Sequence, residues 1–130
     1  MGIEPFLCAS SISGVMAQRL VRLNCPHCAQ PAAPGPVLTE HFNIKGKKGK
    51  FLRGKGCTNC QGIGYRGRAS IGELLVLSDE LSEHILHRPT TAQLEQLAIA
   101  AGMEPIVEDG LKKAMKGITS LEELIRVLPT

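Results

Sequence analysis

The segments Cys25-Pro-His-Cys28 and Cys57-Thr-Asn-Cys60 decide how this chain folds. In each segment two residues separate two cysteines, a spacing that lets both sulfurs of a tight turn point at one centre. Two such turns supply the four thiolates of a tetrahedral zinc site. We therefore predict that Cys25, Cys28, Cys57 and Cys60 bind one Zn²⁺. Because four protein ligands leave no open coordination position, the predicted zinc is structural and not catalytic.

Two other interpretations of the cysteines stay open, namely two disulfide bonds or a redox-active pair. Zinc is favoured over disulfides because disulfides are rare in cytosolic proteins. It is favoured over a redox pair because a redox Cys-x2-Cys motif usually occurs once, at a corner between a strand and a helix.

The surroundings of the cysteines are predicted from charge and position. A zinc ion with four thiolates carries a net negative charge, which we expect backbone N–H groups and the side chains of Arg53, Lys55 and Arg66 to offset. His27 stands between two cysteines that already fill the turn, so we expect it to face solvent. Cys8 is predicted to be a small buried apolar residue.

The composition is that of a folded chain, since 43% of the residues are apolar and 21% are charged. Aromatic residues are few, with three Phe, one Tyr and no Trp. Large aromatic side chains usually dominate small cores and interfaces, so either another feature supplies compactness or the partner surface is aliphatic. The cysteines are the candidate for the first. The longest mainly apolar stretch, residues 6–17, is shorter than the roughly 20 residues of a membrane-spanning helix, and no signal peptide is evident. We expect a cytoplasmic protein without direct membrane insertion.

Charge is unevenly distributed along the chain. Residues 1–65 hold eight Lys or Arg against two Asp or Glu, whereas residues 66–130 hold seven against ten. The basic run from Lys45 to Lys55 could contact nucleic acid, but it contains one aromatic residue for base stacking, and the acidic second half opposes such binding. A solvated basic loop is the favoured interpretation, and a nucleic-acid partner is not expected.

Hydrophobic periodicity predicts a helix over residues 6–23, with Arg19 and Arg22 in its last turns. Such a helix would be apolar around most of its circumference and would need a partner to cover it. Residues 24–62 are predicted to form an insert framed by the cysteines, with one or two helical turns that start near Thr39. Residues 63–77 are predicted to form one or two strands, the second at 70–77.

Four short amphipathic helices are predicted from Ser78 onward, and we expect them to form a compact helical subdomain. Ser78 is predicted to cap the first helix, and Pro105 suits the first turn of the third. Capping boxes are predicted at Thr90–Gln93 for the second helix and at Ser120–Glu123 for the fourth. The predicted fold is therefore α+β, mostly α, with a zinc-stapled insert, a short strand pair and a C-terminal helical subdomain.

The sequence contains no motif that makes a self-sufficient active site. The phosphate-binding Gly-x4-Gly-Lys-Ser/Thr, the Gly-x-Ser-x-Gly of hydrolases and His-Glu-x2-His are all missing from it. No catalytic residue is therefore predicted.

A set of short motifs occurs in a fixed order along the chain. The motifs are Glu4-Pro-Phe6, Ser10-Ser11, Ala17-Gln-Arg-Leu-Val-Arg22, Cys25-x2-Cys28, Gly54-Lys-Gly-Cys57-x2-Cys60, Gly62-x-Gly-Tyr-x-Gly-Arg68, Glu73-Leu-Leu75, Asp109-Gly110 and Gly117-Ile-Thr-Ser-Leu-Glu-Glu123. This set resembles the C-terminal part of the type II secretion / type IV pilus assembly ATPases, over residues 3 to about 128. The resemblance is stronger to the secretion ATPases than to the pilus retraction motors, which lack the cysteine insert.

The resemblance implies three segments. Residues 1–24 would be the last helix of a RecA-like ATPase core, residues 25–62 a tetracysteine zinc-binding subdomain, and residues 63–130 a strand pair with a C-terminal helical subdomain. The four cysteines would be the zinc ligands of the second segment. Met1 would occupy a position that is internal in the family.

The resemblance also implies a function. The parent enzyme would be a hexameric cytoplasmic motor, peripheral to the bacterial inner membrane, in which ATP hydrolysis drives pseudopilus assembly. Its partners would be inner-membrane secretion platform proteins and neighbouring ATPase subunits. ATP and Mg²⁺ would bind only in the complete parent, because the Walker A and Walker B motifs precede this region, and the chain alone would be inactive.

A free-standing zinc-finger binding module is the alternative function. The segment Cys57-x2-Cys-x-Gly-x-Gly64 resembles one repeat of the cysteine-rich region of J-domain co-chaperones, and zinc ribbons often bind nucleic acid. The first cysteine turn lacks the following Gly-x-Gly, and that region uses four repeats, so this interpretation is less favoured.

Overall fold

The computed structural model describes residues 5–128, apart from the side chains of Pro5, Phe6 and Cys8, so the prediction for Cys8 lies outside the described residues. The described part of the chain is α+β, as predicted, with six helices and two small two-stranded sheets. The helices are α1 Pro5–Ser11, α2 Pro36–His41, α3 Asp79–Leu86, α4 Thr91–Ala100, α5 Ile106–Met115 and α6 Leu121–Val127. The strands are β1 Gly14–Asn24, β2 Ala29–Pro31, β3 Leu52–Gly54 and β4 Tyr65–Val76.

The chain divides into two compact units. Unit 1 comprises the described residues up to Ala17 together with Gly72–Pro105, and unit 2 comprises Gln18–Ile71 together with the described residues from Ile106 onward. Helices α3 and α4 thus belong to unit 1, whereas α5 and α6 belong to unit 2. The three segments predicted from the sequence, with boundaries after residues 24 and 62, stay a prediction.

The prediction of a helix over residues 6–23 is wrong for most of that range, because residues 14–24 form a strand. Helix α1 ends at Ser11, and β1 then pairs with β4 in one sheet. An apolar run broken by Gly14 fits a strand as well as a helix by periodicity alone, and pairing with β4 selects the strand. Arg19 and Arg22 therefore lie in a strand and not at the end of a helix.

The remaining elements follow the sequence more closely. Strand β4 is one strand that begins at Tyr65, earlier than the predicted 70–77, and α2 begins at Pro36 instead of near Thr39. The four C-terminal helices are all present, and the first two have their predicted caps. The Ser78 hydroxyl accepts from the backbone of Leu81 at 3.2 Å, and Thr90 and Gln93 form a complete capping box.

Each unit has its own packing. In unit 1, α1 packs on α3 and α3 packs on α4, with Leu81 and Ala98 buried. In unit 2, one apolar cluster contains residues of strands β1 and β4, of helices α5 and α6, and of the segment after α2. The buried members of this cluster are Val21, Phe42, Ile44, Ile71, Leu111, Ala114, Leu121 and Leu124. Two of them are leucines of α6, so that helix contributes strongly to the core.

A buried carboxylate attaches α6 to β1. The Glu123 side chain is fully buried and accepts hydrogen bonds from the backbone N–H of Arg22 at 2.7 Å and from the Arg22 guanidinium at 3.0–3.2 Å. Arg126 donates two further hydrogen bonds to it, at 2.7 and 2.8 Å. The Arg22 guanidinium also lies 4.3 Å from the centre of the Tyr65 ring, and the Tyr65 hydroxyl is hydrogen-bonded to that of Ser120.

This arrangement corrects the capping box predicted at Ser120–Glu123. The Ser120 hydroxyl does cap α6, because it accepts from the backbone N–H of Glu123 at 3.1 Å. The Glu123 carboxylate binds two arginines instead of returning to the helix start, since each guanidinium offers it an opposite full charge in addition to hydrogen bonds and a backbone N–H does not. Burial by itself would raise the pKa of Glu123, but the hydrogen bonds from Arg126 and Arg22 lower it to about 2.

We predict that Glu123→Gln lowers the free energy of unfolding by about 2 kcal/mol at pH 7, a value reduced because both arginines are partly exposed. The pKa of Glu123 is lower in the folded state than its ordinary value of 4.5. The stabilisation is therefore complete above about pH 4.5 and is lost as the pH falls towards 2. Urea unfolding of wild type and variant across this range measures the difference.

The matched control is Glu122→Gln, which removes an exposed carboxylate that lies 3.7 Å from Arg53. Its expected cost is about 0.5 kcal/mol or less. Equal effects of the two substitutions at pH 7, or a Glu123→Gln effect that does not shrink on acidification, would contradict the prediction.

Candidate metal centre

Four strand ends bring the two cysteine turns together. The first turn follows directly on β1 and leads into β2, and the second turn follows β3 and precedes β4. Strand β1 pairs with β4, and β2 pairs antiparallel with β3 with Ala29 opposite Gly54. The chain therefore enters and leaves both turns on paired strands, which places four sulfurs at one point.

Backbone hydrogen bonds close each turn and connect the two. In the first turn the N–H of Ala29 donates to the carbonyl of Cys25 at 2.9 Å, and in the second the N–H of Gly62 donates to the carbonyl of Cys57 at 2.9 Å. Between the turns, the N–H of Cys25 donates to the carbonyl of Gly64 at 3.0 Å. The cysteines are thus held in place by main-chain contacts as well as by their position.

Two glycines let the backbones approach closely beside the cysteines. A Cβ atom added to Gly54 would lie 2.0 Å from the carbonyl oxygen of Gly64, and one added to Gly64 would lie 2.5 Å from the carbonyl oxygen of Gly54. Both distances are far inside van der Waals contact, so no larger residue fits at either position without moving the backbone. Gly64 also has a φ of +87°, a conformation that residues with a Cβ rarely adopt.

The four sulfurs form a compact set. The Sγ atoms of Cys25 and Cys57 are 3.8 Å apart, those of Cys28 and Cys60 3.8 Å, and those of Cys57 and Cys60 3.7 Å. All four lie within 4.8 Å of one another, and the cysteines are free. A zinc–sulfur distance of about 2.3 Å in a tetrahedron places ligand sulfurs about 3.8 Å apart, whereas a disulfide needs about 2.05 Å. The donor set and its spacing therefore fit zinc.

The surroundings favour the thiolate form of Cys60 and disfavour that of Cys28. Cys25, Cys28 and Cys60 are buried, and Cys57 is half-buried. Burial raises the pKa of the Cys28 thiol to about 12. Burial also opposes ionisation of Cys60, but the backbone N–H groups of Cys57 and Gly64, each 3.2 Å from its sulfur, lower its pKa to about 6.

Of the groups expected to offset the thiolate charge, the backbone N–H groups are found at the sulfurs. Arg53 instead lies 3.7 Å from Glu122, and Lys55 and Arg66 are exposed, so the role of these three side chains stays a prediction. His27 is exposed, as predicted.

The sequence interpretation missed how the first cysteine turn is attached to the helices of unit 2. The Asn24 side chain donates to the carbonyls of Leu52 and Gly117, both at 3.1 Å. Its backbone N–H donates to Ile118 at 2.9 Å, in the turn between α5 and α6. A lone Asn before a cysteine gives no signal of this contact, because all its acceptors are backbone carbonyls far away in sequence.

Among the described residues, no helix is both long and apolar enough to span a membrane.

Comparison with known proteins finds similarity along almost the whole chain. The family described as type II/IV secretion system protein matches residues 1–126. The type II secretion system ATPase E of Vibrio cholerae is 46% identical over 128 residues, which are 98% of this chain and 25% of that protein. The type IV pilus assembly ATPases PilB of Thermus thermophilus and Myxococcus xanthus are 38% and 40% identical, over 96% of this chain and 14% and 23% of those proteins. The chain thus spans a quarter or less of the length of these relatives.

We predict that Gly54→Ala lowers the free energy of unfolding by about 3 kcal/mol or more. The reason is that the alanine methyl group would overlap the Gly64 carbonyl. Gly35→Ala is the matched control, since an added Cβ there meets nothing within 4 Å and its φ is −72°. We expect that control to cost less than about 1 kcal/mol. Urea unfolding of the zinc-loaded chains compares the two, and similar costs would rule out the close approach as the cause.

Proposed function

Because this chain belongs to the type II/IV secretion system protein family, we propose that it is the C-terminal zinc-binding and interaction segment of a type II secretion system ATPase. The observation that carries the proposal is that the family match extends over the same residues that bring four cysteine sulfurs within 4.8 Å of one another. The full ATPase would power pseudopilus assembly and protein export by ATP hydrolysis.

The cysteines would hold one structural Zn²⁺. The ion would join the end of β1 to the start of β4 and the end of β3, and it would hold all four thiols in the thiolate form. Structural zinc contributes on the order of 10 kcal/mol of apparent binding energy, which is large beside the stability of a small domain. A metal of this strength compensates for a core with few aromatic residues, in which Phe42 is buried and Phe51 half-buried.

ATP hydrolysis would take place in parts of the parent protein that lie outside this chain. The chain covers 25% of the Vibrio cholerae ATPase, and its sequence lacks a phosphate-binding loop. ATP and Mg²⁺ would therefore bind elsewhere in the parent. The identities to type II secretion proteins, 38–46%, overlap those to two pilus assembly ATPases, 38% and 40%. Export is proposed because the 46% value belongs to a secretion ATPase.

In the assembled system the segment would contact inner-membrane secretion platform proteins and neighbouring ATPase subunits on the cytoplasmic side of the inner membrane. A rigid, metal-supported surface suits such contacts because little conformational freedom is lost on binding. The free-standing zinc-finger module is less favoured, since the family match covers residues 1–126 and not the cysteine segment alone.

We predict one equivalent of zinc per chain in protein purified without oxygen. Replacing zinc by Co²⁺ should give the intense visible absorption of a tetrahedral site and a thiolate-to-cobalt charge-transfer band. Cys57→Ser should lose these bands and unfold at a lower urea concentration, because a ligand is removed. His27→Ser is the matched control, since His27 is exposed in the first cysteine turn, and it should keep both the metal and the stability. Zinc-free protein that is stable and has no free thiols would overturn the zinc assignment.

We also predict that the purified chain hydrolyses no ATP, because its sequence provides no phosphate-binding loop. A phosphate-release assay with a full-length relative as the positive control measures this. ATP turnover that co-purifies with the chain through successive columns would contradict the proposal that catalysis lies elsewhere.

A further inference from the structure

Unit 2 contains an open groove of about 530 Å³ that the proposed function leaves unassigned. One side of it runs from Pro31, the last residue of β2, to Pro34, and the other is the basic loop Gly46–Lys50. The volume falls within the roughly 300–1,000 Å³ of pockets that bind ligands. It is therefore large enough for one or two large apolar side chains.

The interior of the groove is apolar. Its lining includes Ile44, which is buried, and Phe51 and Leu52, which are half-buried. Ala33 and the prolines beside it add further apolar surface from the opposite side. Transfer of an apolar side chain into this space would be favourable, at about 25 cal/mol for each Å² of apolar surface removed from water.

The rim of the groove is strongly basic on one side. Lys47, Lys48 and Lys50 line it and are exposed. Within the described residues, none of these three ammonium groups is paired with a carboxylate. Three unpaired cations beside an apolar groove are complementary to an acidic ligand that also carries an apolar group.

Backbone contacts hold the groove open. The N–H of Lys50 donates to the carbonyl of Met115 at the end of α5 at 2.7 Å, and the N–H of Lys47 donates to that of Ile44 at 3.0 Å. On the other side, the N–H of Ala32 donates to the carbonyl of Phe51 at 3.0 Å. A groove with anchored sides loses little conformational entropy when it binds a ligand.

We propose that this groove binds an acidic segment of a protein partner, with an apolar side chain inside it and carboxylates against Lys47, Lys48 and Lys50. A peptide is favoured over a lipid surface because the site is concave, and a flat layer of headgroups would contact the rim and leave the apolar interior unfilled. The proposal needs only a folded unit 2 and is independent of the ATPase assignment.

The test uses the full chain with its zinc content and circular dichroism measured for every variant, so that loss of the fold is recognised separately. The probe is a 12-residue fluorescein-labelled peptide with two leucines at its centre and Asp or Glu on both sides. We expect saturable binding in fluorescence anisotropy that weakens as salt is raised. Replacing both leucines by serine should weaken binding at least tenfold.

The variants separate the rim from the interior. Lys47→Gln and Lys48→Gln should each weaken peptide binding about threefold, as expected for an exposed ion pair. Ala33→Trp should weaken it at least tenfold, because the indole would occupy the groove. Lys45→Gln is the matched control, since Lys45 is exposed in the same loop but does not line the groove, and its effect should be smaller than that of either lining lysine.

The second part of the experiment measures binding of the chain to phosphatidylglycerol vesicles, with phosphatidylcholine vesicles as the control. Vesicle binding that depends on the lysines, together with peptide binding that is unaffected by Ala33→Trp or by loss of the leucines, would assign the surface to a membrane and overturn the proposal. Absence of saturable peptide binding by the folded, zinc-loaded chain would overturn it as well.

Discussion

The close contact between the backbones at Gly54 and Gly64 is the constraint on which unit 2 depends. Gly54 ends β3 and Gly64 directly precedes β4, so their contact brings the second cysteine turn against the first. The Gly64 carbonyl accepts from Cys25, and its N–H donates to the sulfur of Cys60. One glycine thus takes part in joining the turns and in stabilising a thiolate. A side chain at either glycine would overlap the opposite backbone and strain the contact that brings the two turns together.

Strand β1 connects the cysteine turns to helices α5 and α6. Asn24, its last residue, binds the turn between α5 and α6, and Arg22 binds the buried carboxylate of Glu123 in α6. A buried carboxylate is costly unless it is paired and hydrogen-bonded, and Glu123 accepts from two arginines. The cysteine turns and helices α5 and α6 are therefore parts of one structure.

The family relatives are named as ATPases, and this chain corresponds to a quarter or less of their length. The proposed metal site and the proposed binding groove need no catalytic group. Both lie in unit 2 and share a strand pair, because the segments that form the groove continue from β2 and β3. The cysteine turns and the groove are therefore connected through β2 and β3.

The sequence by itself determined the family and the four C-terminal helices, and it singled out the four cysteines that the fold brings together. These features depend on local signals: two-residue cysteine spacing, ordered motifs, and caps such as Ser78 and Thr90. Only the tertiary structure decided what lies far apart in sequence. Periodicity could not distinguish helix from strand in residues 14–24, since pairing with β4 makes the choice. The sequence placed Glu123 in a local capping box, whereas two arginines, one of them in β1, take its carboxylate because a buried charge binds the strongest donors that the fold brings near.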